Sequence, residues 1–343
     1  MGTIEKIVKK VADFKTELEN MPVNREAAAV GREEFTLLLS GISTCRKAPG
    51  ISEHMGYEKL YHCKTREDAE ETREHLQRLF GIHDEESFLE ACRREYSGGD
   101  QYEQFMTFWA GAPLFDMCEL SPEGKEAFSE CIELSKQFYP ILKEKGYYAW
   151  DISEKIGLLR KAAACGIVSD ERFWELSDPW VRQAQVFYHS YREYAVSCLC
   201  GAVYFMHRDS PDLEGFYQLN ENLARHLFEE GGAWQRSGWY EPGEREWADL
   251  MAGSNPGCII TKKAIDSGEI GYMYREEPTE GFPDCGWRFF VGDEPDEYVN
   301  QVENNTVCSY NTACNLDPTI LAYFYADFGR KFGKTEDGWV EEF

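Results

Sequence analysis

The sequence predicts a multi-domain α+β protein: a large all-α N-terminal domain over residues 1–253, then a small α+β C-terminal domain over 257–343 with a mainly antiparallel sheet. Three observations predict it. A length of 343 residues gives a prior of about two domains. Up to about residue 250 the apolar residues recur at helical spacing between Gly and Ser/Thr/Asp punctuation. After Asn255-Pro256-Gly257 the pattern changes to short alternating runs rich in aromatic and β-branched residues.

The helical elements follow in order. Residues 3–20 place Ile4, Ile7, Val8, Val11, Phe14 and Leu18 on one face, and residues 26–40 read as a helix ending near Gly41. Thr65, with Asp68 three residues on, is an N-cap for a helix stopping at Gly81. Asp84 caps a helix to about Tyr96, and Gly98-Gly99 breaks the chain. Ser121-Pro122-Glu123 starts a helix to Lys145, because Pro fits the first helical position. Asp151 or Ser153 opens the next, to Cys165. Ser169-Asp170-Glu171 begins another that Pro179 is expected to interrupt, with helix resuming from Trp180 to about Met206 and a last helix over 212–230. Beyond 257, Cys258–Thr261, Gly271–Arg275, Trp287–Val291 and Val307–Thr312 read as strands, and Asp317-Pro318 starts a short helix to about Tyr325. Ile270-Gly-Tyr-Met-Tyr-Arg275 and Phe282-Pro-Asp-Cys-Gly-Trp-Arg-Phe-Phe-Val-Gly-Asp293 flank a loop holding Pro278, Gly281 and Pro283, and so read as paired strands.

Charge narrows the partners. The formal net charge is −26, with 7 basic and 17 acidic residues (−10) in 257–343 alone. Such a surface repels nucleic-acid phosphates and anionic lipid and would attract a basic protein; plain solubility is the better account of most of the charge. No run approaches the roughly 18 apolar residues of a membrane span. Twelve cysteines follow an amphipathic N-terminus with no secretory signal pattern, so a cytoplasmic setting with reduced thiols is expected.

Catalytic and metal motifs are poorly supported. Cys198 and Cys200 diverge on an apolar helix, Cys308 and Cys314 lack a second ligand pair at zinc spacing, and no His-Glu-x-x-His exists. Gly329-Arg-Lys-Phe-Gly-Lys-Thr335 has three residues between its glycines where a phosphate loop needs four, and Asp327-Phe-Gly329 lacks the other kinase motifs. Cys285 sits among carboxylates that raise a thiol pKa, which suits an incidental loop cysteine better than a nucleophile. No catalytic residue, metal or cofactor is therefore expected. The candidate binding residues are Asp284, Arg288, Asp293, Glu294, Asp296 and Glu297, which form either a solvated acidic loop or a docking surface for basic residues. Strand alternation sends one of Trp287 and Arg288 to the core. The plainest arrangement packs Trp287 and bridges Arg288 to a local carboxylate such as Asp284.

Gly257-Cys-Ile-Ile-Thr, Gly271-Tyr-Met-Tyr-Arg-Glu-Glu-Pro, the 282–294 stretch and Asn311-Thr-Ala-Cys-Asn-Leu-Asp-Pro together resemble the bacterial immunity-protein type 33 family over 258–343. Phe80-Gly-Ile-His-Asp, Tyr148-Ala-Trp-Asp, Leu158-Leu-Arg-Lys-Ala-Ala-Ala-Cys-Gly-Ile-Val-Ser-Asp, Gln185-Val-Phe-Tyr-His-Ser-Tyr-Arg-Glu-Tyr and Gly201 resemble the bacterial domain of unknown function 1266 over 31–240, with His189 and Tyr191 where a Ser-Trp pair is more usual. The first resemblance implies a non-enzymatic immunity protein that neutralises a cognate toxin, with a protein partner such as a basic toxin domain, and it brings no catalytic residues. Two rival readings stand beside it. The helical domain is an enzyme or small-molecule binder with aromatic residues lining a pocket, or the chain is a scaffold whose domains bind different partners.

Overall fold

A computed structural model describes residues 2–22, 24–46, 48–51, 53–96, 120–251 and 256–343. The expected break at Gly98-Gly99, and residues 253–255 of the expected boundary, lie outside these. The architecture has the predicted classes: helices from Thr3 to Arg236, then a six-stranded mixed sheet. By contacts the chain divides into two units, one made of the described residues of Met1–Tyr102 and Gly146–Glu246, the other of those of Glu103–Lys145 and Trp247–Phe343. The helix Pro122–Leu142 and the turn after it thus group with the sheet, although sequence order places them among the helices.

In the helical unit the central element is Tyr148–Ala164, buried over almost its whole surface and packed on the helices Asp170–Phe187 and Tyr191–Met206. It starts three residues before the expected Asp151, because Tyr147, Tyr148, Ala149 and Trp150 are themselves core residues. Its crossing with Tyr191–Met206 is tight: a Cβ on Gly201 would lie 2.4 Å from Cβ of Trp150, so only Gly fits there. Thr65 caps the helix Arg66–Phe80 as predicted, with its hydroxyl accepting from Asp68 N at 3.0 Å and the Asp68 carboxylate accepting from Thr65 N at 3.3 Å.

Two helical expectations need correcting. Pro179 interrupts nothing, since Asp170–Phe187 runs straight through it. Proline forfeits one backbone hydrogen bond, and the buried stripe Phe173, Ser177, Val181, Ala184 and Phe187 holds both halves in register. The break comes instead at extended Tyr188, after which Ser190 caps the next helix by accepting from Glu193 N. Residues 26–31 are not helical; the helix there is Arg32–Leu39, and Ala28 forms a β-bridge with Ser237.

The same helix Tyr148–Ala164 buries Arg160 completely. Its guanidinium donates to Ser40 Oγ at 3.0 Å, Thr44 Oγ1 at 3.1 Å, and the carbonyls of Leu37, Met55 and Gly56, and it lies over the Tyr57 ring. No carboxylate among the described residues pairs with it.

In the sheet unit the strands are β1 (Gly257–Thr261), β2 (Tyr272–Arg275), β3 (Asp284–Phe290), β4 (Asn305–Ser309), β5 (Lys331–Thr335) and β6 (Gly338–Glu342), in the order β4-β1-β3-β2-β5-β6. Only β1 and β3 run parallel. β2 and β3 pair antiparallel as expected, with Tyr272 opposite Phe290 and Tyr274 opposite Arg288. β4 stops at Ser309, short of the expected Thr312, because Ser309 caps the helix Tyr310–Leu316, which buries Tyr310, Ala313 and Cys314 at helical spacing. Pro318–Tyr323 is a 3-10 helix, and β5 with β6 forms a hairpin the sequence pattern did not show. The phosphate-loop lookalike ends in β5, so its second glycine is a strand residue.

One buried carboxylate ties the two segments of this unit together. Glu144, in the turn Lys143–Lys145, accepts from the hydroxyls of Tyr139 and Tyr323, both at 2.9 Å, and from Trp339 N at 3.4 Å. Nothing in its sequence neighbourhood signals that role.

Candidate functional site

The β2–β3 ribbon has one fully buried face and one partly covered face, where Arg288 and Phe290 are buried and Tyr272 and Tyr274 half-buried. Met273, Trp287 and Phe289 are fully buried on one side, where Trp287 Nε1 donates to Phe324 O at 3.1 Å and Phe289 packs on Tyr310. Tyr272, Tyr274, Arg288 and Phe290 point to the other. There Tyr274 stacks on Phe290 at 5.6 Å, and Tyr272 lies 5.9 Å from the same ring. The register continues this face outward to Val307 on β4 and Val340 on β6, which are 75% and 51% exposed.

Arg288 does not stand free on this face. Its Nη1 and Nη2 donate to the two Asp284 oxygens at 2.9 and 2.7 Å, and Nε donates to Glu276 Oε1 at 2.7 Å. Residues four apart on a regular strand are about 13 Å apart, so the bidentate pair needs a device. Gly286 supplies it. With φ of +84° it bulges β3, so that Gly257 and Ile259 of β1 face Asp284 and Arg288, two residues against four. A Cβ at this position would meet Glu276 O at 2.1 Å. The Arg288 hydrogen bonds, helped by Gly286 N and Thr279 N, hold the Asp284 carboxyl well below the usual carboxylate range against the opposing effect of burial. Burial disfavours the charge on Arg288, but Asp284 and Glu276 outweigh it and raise its pKa.

The remaining candidates are not gathered there. Glu294 closes the turn after β3, accepting from Thr261 Oγ1 at 2.7 Å, Val291 N at 2.9 Å and Gly292 N at 2.8 Å. Burial works against its charge, yet these bonds leave its pKa lowered. Asp293 pairs with Lys263 at 2.6 Å on the surface, and that bond lowers its pKa. Asp296 and Glu297 are exposed in the first turn of the helix Asp296–Val299 and make no ion pair with the described residues. The six residues therefore split: Asp284 and Arg288 form an internal pair, Glu294 is a loop clasp, Asp293 belongs to an exposed pair, and Asp296 and Glu297 offer open charge.

Cys285 is 7% exposed within β3, not on a loop, and burial raises its pKa. In the helical unit Cys45 Sγ lies 3.8 Å from His54 Nε2 and 3.5 Å from Tyr57 Oη. His54 Nδ1 accepts from Gly56 N at 3.0 Å, which places the ring proton on Nε2. That nitrogen then faces Cys45 as a donor and cannot take the thiol proton, and burial raises the Cys45 pKa. Among the described residues no group of three or more His, Cys, Asp or Glu is placed to hold a metal ion, and no helix is long and apolar enough to cross a membrane.

No curated protein and no solved structure matches the chain. Two family models do. Residues 258–343 match the immunity protein Imm33 domain, and residues 56–239 match the protein of unknown function DUF1266. The second match spans more than half of the chain, which therefore belongs to the DUF1266 family and carries an Imm33 match over its C-terminal sheet.

Proposed function

We propose that this protein is a non-enzymatic, cytoplasmic immunity protein whose sheet unit binds and neutralises a cognate toxin. The observation that carries the reading is the Imm33 match across 258–343. That segment holds 17 acidic against 7 basic residues, so a basic toxin surface is the complementary partner. The half-buried rings of Tyr272 and Tyr274 and the exposed Val307 and Val340, with the free carboxylates of Asp296 and Glu297 in the same unit, combine an apolar anchor with unspent negative charge. Arg288 is spent internally, so the ribbon contributes shape and rings, not a free cation. The Nε2–H tautomer of His54 and the burial of Cys285 support a binding role over a nucleophilic one. The eleven free thiols among the described residues suit a reducing compartment.

The test is co-expression of the full chain with the toxin-like product of a neighbouring gene. Growth should be rescued, and the purified proteins should associate with a rate that falls steeply with salt. The D296K/E297K double variant should slow association about tenfold while leaving the melting temperature unchanged. Failure of the full chain to bind or protect against any neighbouring gene product would overturn the proposal.

A further inference from the structure

A second site lies in the helical unit. Ala28 N donates to Arg236 O and Gly238 N to Ala28 O, both at 2.8 Å, and Asn24 Nδ2 donates to Gln235 O at 2.9 Å. These bonds pin the connection after the first helix against residues 235–238. Between them and the start of the helix Tyr191–Met206 is a cavity of about 330 Å³, at the small end of ligand-site volumes. Phe228, Tyr191, Trp234 and Trp239 line it. Tyr191 and Trp234 stack at 5.6 Å with planes 10° apart, and Trp239 meets Tyr191 edge-on at 5.0 Å. Tyr191 and Trp234 cover each other and are buried, so the half-buried Trp239 is the ring of this wall with surface left to pack on a flat ring.

The polar features converge on one chemistry. Arg192 also lines the cavity, and its Nη2 donates to Met21 O at 2.8 Å and Pro22 O at 3.0 Å, two further lining residues. Those bonds fix the guanidinium at the rim. The other half-buried arginines of this unit pair with carboxylates: Arg32 with Asp178 and Glu246, Arg46 with Glu154, Arg172 with Glu85 and Glu175, and Arg225 with Glu17 and Glu221. Arg192 has no carboxylate partner among the described residues, in a chain with 62 carboxylates to offer. A fixed arginine fork beside aromatic walls recognises an anion attached to a ring.

We propose that this cavity binds a small planar ring compound bearing a carboxylate, with the ring against Trp239 and the carboxylate on Arg192. The site is independent of the immunity reading, because every residue in it belongs to the helical unit.

Calorimetric titration of the full-length protein with indole-3-acetate and with benzoate tests it, with uncharged indole as the control. Indole-3-acetate should bind with a submillimolar dissociation constant, and indole about tenfold or more weakly. R192M should weaken indole-3-acetate about tenfold without affecting indole, R192K should fall between, and A27F, which fills the cavity, should abolish both. Circular dichroism and melting show that each variant is folded; should R192M not fold, R192K and A27F carry the comparison. No binding of either acid up to about 10 mM, or binding that the folded variants leave unchanged, overturns the proposal.

Discussion

Arg160 in the helical unit and Arg288 in the sheet unit are the two buried arginines among the described residues, and their surroundings are opposite. Arg288 is clamped by two carboxylates, which raise its pKa despite its burial. Arg160 meets hydroxyls, carbonyls and the Tyr57 ring, and burial brings its pKa down to about 10. That still leaves it protonated at pH 7. The lesson concerns what each charge organises. Arg288 holds a bulge in one strand, with partners within twelve residues of it. Arg160 gathers carbonyls and hydroxyls from residues 37–56 onto the central helix, so it acts as a hydrogen-bonding hub more than as an ion.

The contrast is breakable, and the largest effect belongs to Arg160. R160M leaves several buried carbonyls and hydroxyls unmet and should destabilise the helical unit by about 4 kcal/mol in urea unfolding. R160K keeps the charge but loses the planar fork, so it should cost nearly as much. A loss below about 1 kcal/mol would show that the hub is dispensable.

An intermediate effect is expected at the Arg288 clamp. R288M strands Asp284 among buried neighbours and should cost about 3 kcal/mol. D284N should cost less, and its effect should depend on pH. Asp284 has its folded pKa depressed, so the stability it contributes is fully present above the unfolded value of about 4 and is lost as pH falls below it. Wild type and D284N should therefore differ at pH 7 and converge toward pH 2. Equal differences at both pH values would mean that the clamp works by packing alone. The smallest effect belongs to D293N. Its pair with Lys263 is solvent-exposed, and the melting temperature should stay within error of wild type.

The legible parts of the fold were those carried by local pattern. Alternation over 270–275 and 287–290 revealed the β2–β3 pair, and Thr65, Ser121 and Ser169 marked helix starts that the structure confirms by side-chain capping bonds. The β5–β6 hairpin escaped because only Phe332 and Trp339 of its residues are buried, too few to imprint a period. Pro179 misled because the buried stripe around it outweighs one missing hydrogen bond. The Asp284–Arg288 bridge was foreseen as a pair, but the Gly286 bulge behind it leaves no pattern until φ is known. The Arg192 cavity was invisible for a different reason: Met21, Ser190 and Trp239 come from three distant stretches, and nothing local marks their meeting.

Glu144 bears on modularity. The sheet unit is assembled from two pieces of chain with Gly146–Glu246 intervening, so no single cut isolates it. A fragment starting at Gly257 would lack the acceptor for the Tyr323 hydroxyl and Trp339 N–H, and both would need a new one. Transplanting this domain into another protein thus means carrying over a helix encoded more than a hundred residues upstream, or designing its substitute.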